Sequence, residues 1–319
     1  MSGITNKLKK IAKMDKKTIV KKLLSFDDVY VTGYRKYSDD TFLGITGHGE
    51  FDAVPTSKRY WYADPVIYTR DSSSYLFMEA FDKKKVIGRI AVCELTVAGA
   101  TKPKVIIREP FHMSFPMVFD FRGETYMIPE TSADDSIRLY KAVVFPDKWE
   151  TVKVFKLGRK FVDTAIISKT ADSIRILTCE VSPYKEYECR FQKFEIRFDE
   201  EKGFSIEEDV KFNSAQEYDL KSRNGGNILT YEGKRYVAAQ ESKQTSYGIA
   251  MDFYPYSEER ILLADKAKWR IPADDIVVKG APKGDGVHSY CHNDAYEVID
   301  LKYMEWNPLK YVKRVLRRH

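Results

Sequence analysis

The 319-residue sequence has few cysteines and no long apolar run, and both absences exclude classes of protein. Its four cysteines lie far apart without Cys-x-x-Cys spacing, which predicts reduced thiols in a cytoplasmic protein rather than a disulfide framework. No stretch approaches the ~18 uncharged apolar residues that a membrane-spanning helix needs. The opening MSGITNKLKK lacks the apolar core of a secretion signal, so none is expected.

Several catalytic and cofactor motifs are also missing from the sequence. GxGxxG, P-loop and GxSxG patterns are absent, which argues against a nucleotide-binding fold and an α/β-hydrolase. No HxH or HExxH spacing occurs, so the sequence predicts neither a metal site nor a cofactor. Disorder of the whole chain is excluded as well, because 18 Phe and 21 Tyr are enough to build a sizeable core.

The net charge of +6 is unevenly distributed along the chain. Eight lysines and one aspartate give residues 1–24 a charge of +7, and six basic residues against one glutamate give residues 302–319 a charge of +5. Residues 25–301 therefore carry −6. An acidic body argues against binding nucleic acid, which needs a basic face, and the two basic ends are expected to have a separate role.

Both basic ends can form amphipathic helices. In the last segment Asn307 can cap a helix, Pro308 suits its first turn, and Leu309, Val312 and Leu316 form an apolar stripe among basic residues. Such helices suit the surface of an anionic membrane, which predicts a protein held peripherally at the inner face of the cell membrane. Solvated helices docked on the body are an equally open interpretation.

The body of the chain repeats a unit of strand, turn and strand. Four copies occupy residues 65–81, 116–130, 165–180 and 227–242, and a weaker fifth begins near Ser289. Each copy is rich in Tyr, Phe, Val and Ile and is bounded by Asp, Gly and Ser. Because a propeller blade takes ~40–50 residues, this spacing predicts an all-β chain with five blades. A two-sheet sandwich is the alternative.

The sequence thus divides into three predicted parts: a basic N-terminal helical segment and lead-in over 1–57, a five-bladed β-propeller over 58–301, and a basic C-terminal helix over 302–319. Aligning the copies gives two sets of equivalent positions, which we call slots. The first slot holds Asp64, Phe115, Asp163 and Gly226, and the second holds Glu79, Glu130, Glu180 and Gln240. The innermost strands of a propeller line one channel, so equivalent slots are expected to converge at its mouth.

The acidic members of these slots have competing interpretations. Asp64 precedes a proline and can open a strand or a turn, and Asp163 occupies the matching place two blades later. Glu79 and Glu130 follow runs that should be buried. A buried carboxylate needs a partner, which can be a structural arginine or the hydroxyl of a substrate.

Four further positions are candidates for substrate contact. His112 and His288 can bind a sugar hydroxyl, act as acid or base, ligate a metal, or be structural. Arg223 precedes Gly225 and Gly226, which allow a close backbone approach, and it can hold a phosphate or carboxylate. Ser114 completes the set of predicted substrate-binding residues: Glu79, His112, Ser114, Glu130, Arg223, Gln240 and His288.

Across roughly residues 58–301 these motifs resemble a known family. WYADPVIY, FMEAF, HMSFPMVF, ETYMIPE, IRLYKAVVFPDKW, RNGGNI, GVHSY and YEVID are similar to the glycoside hydrolase family 43-like five-bladed propeller. The similarity is to the version at the N-terminus of plant glucosamine inositolphosphorylceramide transferases, whose bacterial relatives are encoded with surface-polysaccharide genes. The resemblance implies a propeller fold and an enzyme acting on carbohydrate.

The resemblance also implies roles for particular residues. Family 43 hydrolases use an Asp of the first blade as base, an Asp of the third blade to tune acidity and orientation, and a Glu of the fourth blade as acid. Asp64 and Asp163 match the first two, but the third place reads Arg223-Asn224-Gly225-Gly226 and has no Glu. Hydrolysis needs an acid for a poor leaving group, whereas a phosphate leaves without one and needs a cation.

Three functions are therefore carried forward from the sequence. The first is transfer of a sugar, by analogy a furanose, from an activated phosphate donor to a glycan or lipid-linked acceptor in surface-polysaccharide synthesis. Asp64 would be its base, Asp163 and Glu79 would position hydroxyls, and Arg223 would meet the phosphate. The second is an inverting glycoside hydrolase with Glu79, Glu130 or Glu180 as acid. The third is a non-catalytic propeller that binds glycans.

Overall fold

The computed structural model describes residues 26–38, 50–185, 187–243, 246–263 and 266–307. In these ranges the chain is almost entirely β-structure, arranged in five sheets. The innermost strands of neighbouring sheets contact one another in a closed ring, so the predicted five-bladed β-propeller is confirmed. No helix in this part of the chain combines the length and apolarity needed to cross a membrane.

Each blade contains an inner strand, two central strands and a short outer edge. The strands of the first three blades are Tyr60–Arg70, Ser73–Asp82, Ile87–Thr96, Gly99–Ala100 and Lys104–Ile107; Ser114–Phe121, Glu124–Glu130, Ile137–Val144 and Lys148–Phe155; and Phe161–Lys169, Ser173–Val181, Cys189–Asp199 and Gly203–Glu208. Those of the last two blades are Arg223–Asn224, Leu229–Tyr231, Lys234–Lys243, Ser246–Pro255 and Trp269–Pro272; and Tyr290–His292, Tyr296–Trp306, Phe26–Lys36, Glu50–Ala53 and Val277–Val278. The helical elements described are one α-helix, Val210–Ser214, and two short 3-10 turns, Ser132–Asp134 and Ala273–Asp275.

Tight turns at equivalent positions explain why the repeat could be recognised in the sequence. In the first blade Asp71 and Ser72 join the inner strand to its neighbour, and both have positive φ, at 50° and 65°. The corresponding turns at 122–123 and 232–233 each end in glycine, and both residues of each turn also have positive φ. Two-residue turns of this kind match the twist of antiparallel strands and favour Asp, Asn and Gly.

The fifth blade is assembled from both ends of the described chain. Phe26–Lys36 pairs with Tyr296–Trp306 in an unbroken antiparallel register of eleven residue pairs. The folded unit therefore takes in residues 26–36 and 50–53, which the sequence analysis placed in the lead-in, and residues 302–306, which it placed in the C-terminal helix. The rest of both predicted terminal helices lies outside the described residues.

One apolar layer separates each pair of neighbouring blades. Each layer is one cluster with members from both blades, for example Phe77 and Met127, Phe121 and Phe204, Phe191 and Tyr254, Phe253 and Tyr290, and Met78 and Val298. Because both faces of a blade are covered, its central strands are apolar on both sides and show near-continuous hydrophobic runs. All four cysteines are buried as free thiols.

Candidate active site

The first slot of the repeat corresponds to a backbone distortion shared by three blades. Asp64, Phe115 and Asp163 have φ of 50°, 42° and 51°, and the pairing of each inner strand shifts register at that residue. Non-glycine residues seldom adopt this conformation, and bulges of this kind re-aim side chains beside functional sites. The distortion places the buried carboxylates of Asp64 and Asp163 at one end of the central channel.

The second slot was aligned correctly in three of the four copies. Glu79 and Glu130 pair with Ala63 and Ser114, the residues just before Asp64 and Phe115, and Gln240 pairs with Arg223. The residue after Arg223 is Asn224, so assigning the first slot of the fourth blade to Gly226 was wrong by two residues. In the third blade that place belongs to Cys179, which pairs with the residue before Asp163. Assigning it to Glu180 was wrong by one residue, and in a strand a one-residue shift moves a side chain to the opposite face.

Glu180 is instead held in an ion-pair cluster away from the channel. Its Oε2 accepts from Arg190 Nη2 at 2.8 Å and from Arg159 Nη1 at 3.1 Å, and its Oε1 accepts from Tyr218 at 2.7 Å. Donors from three residues therefore occupy this carboxylate, and two of them are arginines. Glu180 therefore does not fit the role of a general acid.

At this end of the channel lies a triad of Asp64, His288 and Asp300. His288 Nδ1 is 2.7 Å from Asp300 Oδ2 and 3.6 Å from Asp64 Oδ1. Asp300 is fully buried and also accepts the backbone N–H groups of Asp64, His288 and Ser289 at 3.0–3.1 Å. The N–H of Phe115, at the bulge of the second blade, donates to Asp64 at 3.3 Å. The carboxylate of Asp64, on the first blade, is thus held by groups from the second and fifth blades.

Burial and the neighbouring charges shift the pKa values of Asp64 and His288. Burial raises the pKa of Asp64 to about 6, with His288 opposing the rise and Asp300 adding to it. Burial alone would lower the pKa of His288, but Asp300 and Asp64 raise it above its ordinary value. Asp64 is therefore a stronger base than an exposed aspartate, and His288 retains its proton more readily than a free imidazole.

The same three residues form a cluster whose ligand atoms lie within 4.8 Å of one another, a spacing that a cation could use. The sequence predicted no metal site. His288 Nδ1 lies 2.7 Å from Asp300 Oδ2, and three backbone N–H groups already donate to the Asp300 carboxylate. We therefore interpret the cluster as a charge-paired triad.

A second cluster surrounds Arg223. Its Nε donates to Asp163 at 2.5 Å, and its Nη2 lies 3.3 Å from Glu130. Gln240 donates to Asp163 at 3.4 Å and to the carbonyl of Asn224 at 2.7 Å, which ties the fourth blade to the third. No hydrogen bond of Arg223 Nη1 is found within the described part of the chain, and about a quarter of the side chain is exposed.

Burial raises the pKa of Asp163 to about 7, while Arg223 opposes the rise and Glu130 adds to it. Arg223 itself is disfavoured as a cation by burial, but Asp163 and Glu130 keep its pKa well above the ordinary value. With Asp163 partly protonated near neutral pH, the guanidinium is not fully neutralised by its partners. It therefore retains the capacity to bind an anion.

Glu79 and His112 form a third pair on the side of the first blade. His112 Nε2 is 3.3 Å from Glu79 Oε1, and its Nδ1 accepts the backbone N–H of Gly88 at 2.9 Å. That acceptor role assigns the proton of the neutral ring to Nε2, facing Glu79. Burial raises the pKa of Glu79 well above its usual range, and the charges of Asp64 and Glu130 add to the rise.

Burial, together with the charges of Arg223 and Arg89, lowers the pKa of His112 to about 4, so its ring is neutral at physiological pH.

The residues predicted from sequence thus converge at one end of the channel, with Asp64, Glu79, Asp163 and Arg223 close enough to shift one another's pKa. Ser114 contributes differently, because its backbone pairs with that of Glu130 on the neighbouring strand. Sequence reasoning missed Asp300, Tyr30 and Tyr247.

The two missed tyrosines hold His288 in place. The ring of Tyr30 stacks on His288 with centroids 4.5 Å apart, and Tyr247 stacks at 5.5 Å. Arg223 lies over the ring of Tyr247 at 4.9 Å, so one stack connects the triad to the arginine cluster. Tyr30 lies on Phe26–Lys36, a strand from outside the predicted repeat, and only the closing of the ring brings it here.

Gly88 offers a test of how closely the Glu79–His112 pair is packed. A Cβ at this position would lie 2.4 Å from Met113 O, 2.5 Å from Glu79 Oε1 and 2.8 Å from His112 Cε1. Gly88→Ala is therefore expected to displace both side chains and to lower the unfolding free energy by ~1–3 kcal/mol. Urea denaturation would measure this loss. Gly123→Ala is the control, because its Cβ would meet nothing within 4 Å although its positive φ disfavours alanine.

Comparison with known sequences identifies relatives of the chain. The sequence model of the family described as glucosamine inositolphosphorylceramide transferase 1, N-terminal, matches residues 52–266. Glucosamine inositolphosphorylceramide transferase 1 of Oryza sativa subsp. indica is 26% identical over 261 residues, covering 77% of this chain and 33% of that protein. The Arabidopsis thaliana protein of the same name is 37% identical over 107 residues, 33% of this chain and 14% of that protein. The chain thus spans at most about a third of the length of these relatives.

Comparison with solved structures concerns the fold. The catalytic domain of the GH62 α-L-arabinofuranosidase of Coprinopsis cinerea superposes with a TM-score of 0.55 at 10% identity, covering 85% of this chain and 97% of that chain. A β-1,2-mannobiose phosphorylase from Listeria innocua has a TM-score of 0.50 at 8% identity, covering 85% and 96%. The propeller is therefore one that carbohydrate-active enzymes use, and the family resemblance inferred from the motifs is confirmed.

Proposed function

The chain belongs to the family of the N-terminal domain of glucosamine inositolphosphorylceramide transferase 1, and on that premise we propose that it is a glycosyltransferase-type enzyme. It moves a sugar from an activated phosphate donor to a hydroxyl group of a glycan or lipid-linked acceptor during surface-glycan synthesis. The transferase naming of its relatives supports this class, and the central cluster supports it chemically. The sugar itself is open, with a furanose preferred by analogy.

The observation that carries the proposal is the pairing of a base with a cation at the channel mouth. Asp64, with its pKa raised to about 6, is ionised at neutral pH yet basic enough to accept the proton of the acceptor hydroxyl. Arg223 lies in the fourth blade, where the family 43 hydrolases that the sequence resembles have their general acid. A fixed guanidinium in a water-poor site stabilises negative charge that develops on a leaving group.

The proposed step is a single displacement. The acceptor oxygen forms a bond to the anomeric carbon as its proton passes to Asp64. The bond from that carbon to the donor phosphate breaks, and its electron pair leaves on the phosphate oxygen that faces Arg223. Asp163 and Glu130 orient the guanidinium through its Nε and Nη2, which leaves Nη1 toward the donor.

One observation favours glycoside hydrolysis as the second candidate. The carboxyl group of Glu79 is buried, and burial raises its pKa well above the usual range, which favours the protonated form. A protonated carboxyl beside a basic aspartate is the pair that an inverting hydrolase uses. Release of free sugar from a furanoside, lost in Glu79→Gln, would favour this candidate.

Thermal unfolding in the presence of candidate ligands tests the proposal. One set contains activated donors, namely nucleotide sugars, phosphoribosyl diphosphate and polyprenyl-phosphate sugar analogues, and the other contains free furanosides and pyranosides. A ligand of the folded state adds ~2.7 kcal/mol of stability at a hundredfold excess over Kd. We expect one class of donor to stabilise the protein. Stabilisation by free saccharides alone would contradict the proposal and favour a hydrolase or a glycan-binding propeller.

A further inference from the structure

An exposed basic and apolar patch lies at the edge of the channel mouth, where the first and fifth blades meet. We call it the basic lip and define it by its exposed residues, Lys58, Arg59, Lys84, Lys85, Val86 and Trp306. The side chains of Val86 and Trp306 are 46% and 65% exposed. Cations beside exposed apolar side chains form an unusual surface for a body that is acidic as a whole.

The turn that carries the lysines is shaped by one buried carboxylate. Asp82 Oδ1 accepts the backbone N–H groups of Lys84 and Lys85, each at 3.0 Å, and its Oδ2 pairs with Arg59 at 2.7 Å. Val86 has φ of 56°, a conformation that β-branched residues disfavour and that asparagine or glycine adopts readily. An exposed valine held in this conformation does not serve folding, so its apolar side chain indicates contact with another surface.

The lip belongs to the same face as the candidate site. Two residues beyond Val86, the backbone of Gly88 donates to His112 and packs against Glu79. From the other side, Lys83 Nζ pairs with Glu305 Oε2 at 3.1 Å, which joins the turn to the end of Tyr296–Trp306. A surface that contacts the lip is therefore presented to the mouth of the channel.

Both ends of the described chain leave the fold at the lip. Phe26 pairs with Trp306, and Asn307 donates to Asp27 at 2.6 Å, so the two ends lie side by side. Eight lysines precede Phe26 in sequence, and five Lys and Arg residues follow Asn307. The strongest positive charge of the molecule is therefore attached at one edge of the mouth.

We propose that the basic lip docks on the surface of an anionic lipid bilayer and turns the channel mouth toward it. Basic residues close to such a surface are each attracted by ~1 kcal/mol, and tryptophan favours the headgroup region. This inference goes beyond the proposed function, because it concerns an interaction surface and would hold for any chemistry in the channel. It also explains how a lipid-linked acceptor could reach Asp64 without leaving the membrane.

Cosedimentation of the full chain with vesicles tests the docking surface. The vesicles contain phosphatidylcholine with or without phosphatidylglycerol. We expect binding only when phosphatidylglycerol is present, and a loss of at least about tenfold in partitioning for Lys84→Gln/Lys85→Gln. Val86→Asn should also lower partitioning while its unfolding temperature stays equal or rises, because asparagine relieves the backbone strain. A structural defect would lower both.

Lys234→Gln/Lys268→Gln is the matched control, since it removes two exposed lysines at the opposite end of the fourth blade. Its partitioning should match that of the unaltered chain. An equal loss in this control would overturn the proposal, because it would mean that only net charge matters. Tighter binding to short duplex DNA than to vesicles would overturn it as well. Asp64→Asn should partition normally, so failure of the proposed chemistry is distinguishable.

Discussion

Asp64→Asn is expected to lower the rate of sugar transfer by about 10²–10⁴-fold while leaving the fold intact. Asparagine has the same shape and can still accept the N–H of Phe115, but it cannot take a proton from the acceptor. The unfolding free energy should not fall, because the variant removes a buried charge whose pKa is already raised by burial. Initial rates and urea denaturation of the same preparation would measure both effects.

The same assignment predicts the direction in which the transfer rate changes with pH. In the proposed step Asp64 acts in its deprotonated form, so transfer by the unaltered protein should rise as pH increases through about 6. Asp252→Asn is the control, because Asp252 is equally buried but pairs with Arg270 outside the channel. A rate that survives in Asp64→Asn, or falls equally in Asp252→Asn, would contradict the assignment of the base.

Arg223→Gln should produce the largest change in stability. Removing the guanidinium leaves Asp163 and Glu130 as buried carboxylates without their shared cation, and breaking a buried pair in this way costs ~3–5 kcal/mol. Donor binding should be lost too, because the proposed phosphate contact is removed. Urea denaturation and titration with the stabilising donor would measure the two effects separately.

Two further variants separate structure from chemistry at Arg223. Arg223→Gln combined with Asp163→Asn should recover much of the stability, because the variant leaves one fewer uncompensated carboxylate, yet it should not recover transfer. Arg223→Lys keeps the positive charge but loses the fork that reaches both partners, so donor binding should weaken while stability falls less. Recovery of transfer in the double variant would refute a direct role for Arg223.

Much of the fold was predictable because its signals are local. Each inner hairpin carries its own alternation of apolar residues and its own turn, so four repeats could be recognised without knowing how they meet. The fifth blade was harder, because two of its strands, Phe26–Lys36 and Glu50–Ala53, are remote in sequence from Tyr296–Trp306. No local pattern near residue 26 indicates a partner that follows 280 residues later.

The site was predictable where the repeat placed residues and less so elsewhere. Asp64 and Asp163 were identified because their slots are equivalent, and the structure adds that they share a backbone bulge. Glu180 was misplaced because alignment by charge ignored the two-residue period of a strand. Asp300 was missed because its signal is a single aspartate in an apolar strand, and its importance comes from N–H groups contributed by two blades.

The pairing of Phe26–Lys36 with Tyr296–Trp306 has a consequence for the order of events in the cell. A ribosome synthesises the first of these strands at the beginning of the propeller and the second at its end, so the ring stays open during translation of the blades between them. Until Trp306 has emerged, the edge of Phe26–Lys36 lacks its partner, and an unpaired strand edge promotes aggregation. A nonsense mutation before the codon of Tyr296 would therefore leave Tyr30 on an unpaired strand and the candidate site incomplete, because Asp300 would be missing.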